Sequence, residues 1–388
     1  MIETNSPISE EEMERRWALC RSVMRVLGIE ALVAHAREDW IGGYVRWLTD
    51  LPAGNGYPRT VIFFADRPAV VVEMGAFGTD RACDPRAKPT RGVGRVLGTP
   101  SFHSVGYTVE YDTALVLEAL KGCKRIGALV PQAMPHGMAS ALEREFDLVD
   151  STDPIDRIKA VKSAEEQHLI RETAALQDRV FDEICDFIRA GVTDRDVAAH
   201  AEAVARRLGS DQGIILGLSA PMGQPSRFMG RPFQTREIKA GDHMSVLIEV
   251  NGIGGQYLEI ARTMVLGKAD DALLEAFENV RAAQDHTLSL MKPGAKPAEI
   301  LAAHNTWMTQ RGLPPETRLY AHGQGCEMVE RPLIRHDEDM PLAEGMHFAV
   351  HPGYDDGRVF AVICDNYLIG ADGAGECLHQ TPKKIFEI

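Results

Sequence analysis

The chain has 388 residues, room for two packed domains, and its 45% apolar and 25% charged residues exclude disordered, collagen-like and coiled-coil proteins. Forty-two basic against 56 acidic residues leave a net charge of −14 and no basic stripe, so no nucleic-acid partner is expected. No apolar run approaches the roughly 18 residues of a membrane helix, and an N-terminus carrying Glu10, Glu11, Glu12 and Glu14 lacks the order of a signal peptide; a cytoplasmic, membrane-free protein is expected.

Ser9 and Glu12 form a capping-box pattern ahead of Met13, Trp17, Cys20, Met24 and Leu27, which predicts an amphipathic helix stopped at Gly28. Apolar runs at 31–34, 60–64, 69–73 and 125–130 read as strands, the second and third joined in a hairpin through Ala65-Asp66-Arg67-Pro68. With a helix near 113–120, residues 1–154 read as an α/β domain. The polar stretch from Asp150 to Asp156, with Pro154, reads as the boundary to a second domain at 155–388. There Ser163 and Glu166 cap a long helix ending by Gly191, and Thr193 caps another to about Leu208. A second helix pair, 269–291 and 297–311, echoes the first. Each pair precedes strands, 246–250 and 257–265 in one case, 346–350 and 359–368 in the other. Two helix–helix–strand copies predict a pseudo-symmetric α+β domain. The seven cysteines are an odd number without a CxxC pair, as in a reduced compartment.

Four stretches in the second domain carry a family resemblance. They are Arg157 to Ser163 before a long helix, Lys239 to Glu249 with Tyr257 to Thr263, His322-Gly-Gln-Gly-Cys326, and Leu342 to Gly353 with Ile363-Cys-Asp365. In this order they resemble the pita-bread family of methionine aminopeptidase, aminopeptidase P, prolidase and creatinase. The resemblance implies a pita-bread α+β domain, a smaller prolidase- or creatinase-type α/β domain before it, and a homodimer.

Peptidases of that family hold two divalent metals with Asp, Asp, His, Glu and Glu, where this chain has Glu249, Glu259, Cys326, His351 and Cys364. Each added methylene moves a carboxylate oxygen by more than about an ångström, and thiol or imidazole donors favour zinc over harder metals. A two-metal centre is therefore not expected. No metal cofactor is expected, with one zinc at Cys326, His351 and Cys364 as the fallback. The family's substrate-handling histidine is missing from Met229 to Gln234. Creatinase has also lost the metal ligands, but it uses that histidine. The position of its guanidinium-binding glutamate is Ala261 here, so creatine is not the expected substrate.

The expected function is hydrolysis of a non-peptide C–N bond in a small carboxylate-bearing molecule, without metal and apart from the metallopeptidases. Glu249, Glu259, His322 and His351 would share acid–base work. Cys326 and Cys364 could supply a nucleophile beside His351, or be buried thiols. Arg227 and Arg231, with Tyr257 and Asp365, could hold the substrate, while Arg262 reads as a structural ion-pair partner. A lyase on the same fold, a zinc hydrolase or peptidase, and a non-catalytic binding module remain alternatives.

Overall fold

Helix α1 (Glu10–Leu27) begins where the Ser9 hydroxyl accepts the Glu12 backbone N–H at 3.0 Å, and it ends at Gly28, whose φ of +66° is the left-handed geometry glycine adopts without strain. The computed structural model describes residues 8–36, 43–52, 57–88 and 90–388. The chain divides into two compact units, Met1–Lys159 and Ala160–Ile388.

The first unit continues through β1 (Ala31–Ala36), α2 (Gly43–Thr49), β2 (Arg59–Phe64), β3 (Ala69–Met74), β4 (Thr79–Ala82) and β5 (Val93–Thr99). After these come α3 (Val109–Ala119), β6 (Arg125–Ala128), α4 (His136–Glu145), β7 (Asp147–Asp150) and α5 (Thr152–Ala160). The strands form one mixed sheet in the order β4-β5-β3-β2-β1-β6-β7. β2 and β3 are antiparallel across the expected turn, while β1 and β6 are parallel. Val33, Ile62 and Phe64 pack from the sheet against Val116 and Leu120 of α3 and its end and Met138 and Leu142 of α4. The Asp150–Asp156 stretch, read as the boundary, turns into α5, with Pro154 in the helix's first turn, where a missing N–H costs nothing.

The second unit runs α6 (Ala164–Phe187), α7 (Asp194–Arg207), β8 (Gly213–Leu216), β9 (Ser219–Pro221), β10 (Asp242–Asn251) and β11 (Tyr257–Val265). Then follow α8 (Asp271–Leu290), α9 (Pro297–Gln310), β12 (Ala321–Gly323), β13 (Glu330–Leu333), β14 (His347–Val350), β15 (Gly353–Asp355), β16 (Phe360–Val362), β17 (Asp365–Leu368) and β18 (Phe386–Glu387). Ser163 with Glu166 and Thr193 with Asp196 are complete capping boxes on α6 and α7. The two copies are both present. α6 and α7 lie with the sheet β18-β11-β10-β8, while α8 packs on α9 and on the small sheet β15-β16, beside the sheet β13-β12-β14-β17. Val180, Phe181 and Ile184 pack on Val246, Ile248 and Ile260 in the first copy, and Met291 and Ile300 share a core with Phe348, Val350 and Tyr367 in the second. Each such side chain contributes roughly 1.5–3 kcal/mol on burial.

The run 359–368, expected as one strand, is two. It breaks at Ile363-Cys364 because Cys364 leaves its own sheet to pair with Ala261: Ala261 N–H donates to Cys364 C=O at 3.2 Å and Cys364 N–H returns at 3.4 Å. That bridge joins the two sheets. The hairpin β10–β11 turns at 252–255 without room for a larger residue, since a Cβ on Gly252 would stand 2.1 Å from Thr173 Oγ1.

Candidate active site

Glu249 and Glu259 are register partners on β10 and β11, so both carboxyls project from the same face of the hairpin, and both are buried. The other sheet delivers two imidazoles to the same place: His322 from β12 and His351 from the turn after β14. His322 Nε2 lies 3.5 Å and His351 Nε2 3.3 Å from Glu259 Oε1, and the two rings meet edge to face at 5.2 Å. Three residues from parts of the chain 29 to 92 positions apart (351 − 322 and 351 − 259) thus meet.

The electrostatics separate the two carboxyls. Burial and the neighbouring Glu259 charge push Glu249 well above the ordinary carboxyl range, although Gln324 donates to its Oε1 at 3.1 Å. Burial alone would also raise Glu259, but His351 and His322 outweigh it and hold the group down. One carboxyl therefore keeps a proton while the other keeps its charge, the division that acid–base chemistry uses.

Glu259, His322 and His351 also form the one group of three His, Cys, Asp or Glu side chains among the described residues whose ligand atoms all lie within 4.8 Å of one another. Two observations fit a single divalent ion there. Glu259 Oε1 and His351 Nε2 are buried without a hydrogen-bond partner, although they face each other. His322 Nδ1 lies 3.0 Å from the Gly323 carbonyl, a contact it can make only as a donor, which fixes the ring so that Nε2 faces Glu259. The spacings of 3.3 and 3.5 Å match the roughly 3.3 Å edge of a tetrahedron with 2.0–2.1 Å bonds. A two-metal set does not fit. The Cys364 thiol donates to the Glu259 carbonyl at 3.5 Å, and the Cys326 thiol sits 3.8 Å from the Gln256 amide. Of the fallback zinc trio of Cys326, His351 and Cys364, His351 belongs to this group, whose other two members are Glu259 and His322.

The expected substrate contacts have other partners. Arg227 forks onto Asp355 at 2.6 and 3.0 Å, and Arg231 onto Glu202 at 2.5 and 3.1 Å, all at the surface. The Tyr257 hydroxyl donates to Gln212 at 3.0 Å. Asp365 is a fully buried partner of Arg262 at 2.6 Å and lies 3.6 Å from His379, so Arg262 is the ion-pair residue expected. Sequence reasoning missed Gln324, Asn366 and His347, three buried polar residues directly behind the carboxyls. The only signal was their position, inside or beside the motifs around His322, Asp365 and Met346.

Residues 168–371, more than half the chain, match the family described as Metallopeptidase family M24. "Probable dipeptidase PepE" of Mycobacterium tuberculosis is 28% identical over 275 residues, 68% of this chain and 72% of that protein. The Xaa-Pro dipeptidase of Pyrococcus horikoshii is 26% identical over 275 residues, covering 69% and 76%. Among solved structures, the X-Pro aminopeptidase of Thermotoga maritima superposes with a TM-score of 0.76 over 97% of this chain and 99% of its own, at 20% identity. The fold is the two-domain pita-bread architecture. These relatives overturn one expectation, that of a non-peptide hydrolase standing apart from the metallopeptidases, because they are named as dipeptidases and the chain matches a metallopeptidase family. With its motifs in the family's order on the family's strands, and hydrolysis as the family's chemistry, the chain belongs to metallopeptidase family M24.

Proposed function

We propose that the protein is a peptidase that cleaves short peptides, dipeptides foremost, at a site holding one divalent ion rather than two. The observation that carries this reading is the convergence of Glu259, His322 and His351 in a chain whose relatives are dipeptidases. Polar groups from two sheets converging on one point also favour an enzyme over a binding module. Zinc suits the two imidazoles and one carboxylate best.

An ion bound there supplies a Lewis acid for the scissile carbonyl and lowers the pKa of water. Glu259, His322 and His351 would hold it. Glu249 stands opposite, with Oε1 bound by Gln324 and Oε2 without a partner among the described residues. Holding its proton, Glu249 acts as the general acid: it gives that proton to the leaving amine and is restored by the proton lost from the water that adds to the carbonyl, which balances the hydrolysis. Burial favours the neutral His351 ring, and the charge of Glu259 orients it. The homodimer expected from the resemblance belongs to this reading and is checked by sedimentation.

The test is to purify the protein, measure its metal by elemental analysis, and assay alanyl-proline and leucyl-glycine with zinc or manganese added. One equivalent per chain with turnover that chelation abolishes supports the reading. Two equivalents would overturn the single-ion site, and absence of dipeptide turnover in every metal would overturn the peptidase.

A further inference from the structure

Behind the two carboxyls lies a buried chain of amides whose direction is fixed at one end. The Glu259 backbone N–H can only donate, and it donates to Asn366 Oδ1 at 2.9 Å. The Asn366 amide must then point its Nδ2 hydrogens the other way. One goes to Gln324 Oε1 at 2.6 Å and the other to His347 Nε2 at 3.0 Å. Gln324 has thereby spent its oxygen, so its Nε2 faces Glu249 and donates to Oε1 at 3.1 Å. His347 closes the loop: accepting at Nε2, it carries its proton on Nδ1, 3.2 Å from the Gln324 carbonyl, while the Gln324 N–H donates to the His347 carbonyl at 3.1 Å. Gln324 and Asn366 are fully buried and His347 nearly so. Among these amides no alternative orientation satisfies every group, and a flipped amide in a dry interior costs roughly 1–3 kcal/mol per orphaned group.

We infer that Gln324 is a positioning residue for Glu249, and that Asn366 and His347 act through it by fixing which end of its amide Glu249 meets. The inference rests on the proposed peptidase reading and adds to it the residues that aim its acid–base group. Glu249 comes from β10 and the Glu259 N–H from β11, whereas the amides come from the other sheet. The network therefore ties the one carboxyl to the strand of the other, through residues outside the Glu259, His322 and His351 group.

The direction argument gives a test that simple packing does not. Asn366→Asp keeps size and can still accept from the Glu259 N–H, but it cannot donate to Gln324. The Gln324 amide then turns its nitrogen to the carboxylate introduced there and presents an oxygen to Glu249. Gln324→Leu removes the clamp outright and serves if the first variant does not fold. With alanyl-proline as probe, each is expected to lower kcat by about 10- to 100-fold, the scale of a misaimed catalytic group, with KM within about twofold. The double variant should be no worse than the poorer single one, because both break the same link. A crystal structure of Gln324→Leu should show the Glu249 carboxyl moved by more than about 1 Å. Wild-type kcat in Asn366→Asp, losses that multiply in the double variant, or an unmoved Glu249 would overturn the inference. If the wild type cleaves no dipeptide, the peptidase reading fails by itself, and the position of Glu249 in Gln324→Leu still decides this one.

Discussion

Glu249 and Glu259 stand directly opposite each other across the β10–β11 pair, yet only Glu249 is bonded by a protein amide through its side chain, while only Glu259 is flanked by imidazoles at 3.3 and 3.5 Å. Like charges on facing residues destabilise a sheet. This pair avoids the cost because Glu249 keeps its proton. The two residues therefore answer differently to the same substitution. Glu249→Gln is a neutral isostere of the protonated acid. It should retain the metal and the wild-type melting temperature while turnover falls by about a hundredfold or more. Glu259→Gln should lose the metal as well. Elemental analysis of the two purified variants distinguishes them, and equal metal loss in both would show that Glu249 is itself a ligand.

Arg262 is fully buried and makes five hydrogen bonds: to Asp365 at 2.6 Å and to the carbonyls of Ala261, Cys364, Thr381 and Pro382 at 2.8–3.0 Å. It fastens the chain's last segment and β17 to the strand that carries Glu259. Burial would raise the Asp365 carboxyl, but Arg262 and His379 outweigh it and hold it down to about 2. A depressed carboxyl contributes stability that is complete above its unfolded value near 4 and is lost as pH falls toward 2. Asp365→Asn leaves the guanidinium buried without its counter-charge, and a loss of about 3–5 kcal/mol is expected. Arg262→Lys should not rescue the fold, since an ammonium cannot fork to five acceptors. Urea denaturation at pH 7 measures both effects.

His304, on α9, is fully buried, with Nδ1 2.9 Å from Thr287 Oγ1 and its ring stacked 4.3 Å from Tyr320. Burial pushes it down to about 4, against the pull of Glu316 and with the help of His286. The unfolded chain binds a proton here below about pH 6.5, whereas the folded one does not until about 4. Stability is thus full above 6.5 and falls as pH drops through that window, by on the order of 3 kcal/mol at its foot. His304→Gln should flatten the melting-temperature profile between pH 6.5 and 4. An unchanged slope would place the acid sensitivity elsewhere.

The fold was legible where its signals are local. Ser163 with Glu166 and Thr193 with Asp196 formed the caps their spacing suggests, and β11 spans 257–265 as read. The break at Cys364 was not legible, because it is set by pairing with Ala261 103 residues away (364 − 261). β4 escaped notice because its four residues are half-buried to exposed and carry no alternation. At the site, Glu259, His322 and His351 were named from motifs and do meet. Cys364, at a neighbouring motif position, lies beside Glu259 and gives its thiol hydrogen to the Glu259 carbonyl. Gln324 and Asn366 have no distinctive spacing at all. Their meaning lies in the direction of hydrogen bonds across two sheets, which periodicity does not encode.

The thiols give the last prediction. Cys364 is fully buried, and its pKa is raised well above the ordinary thiol value by burial and then by the Glu259 and Asp365 charges. A free thiol in that state is not a nucleophile at neutral pH. Its single visible role is the bond to the Glu259 carbonyl beside the bridge that joins the sheets. Cys364→Ser keeps a donor of nearly the same size, whereas Cys364→Ala removes it and opens a small cavity, for about 1–2 kcal/mol. Both variants, and Cys326→Ser, should retain the wild-type metal equivalent. His322→Ala and His351→Ala should lose it. A native-state thiol reagent should leave Cys364 unmodified until the protein unfolds. If instead the cysteine variants lose the metal and the histidine variants keep it, the donor set is the thiol one, and the assignment of Glu259, His322 and His351 falls.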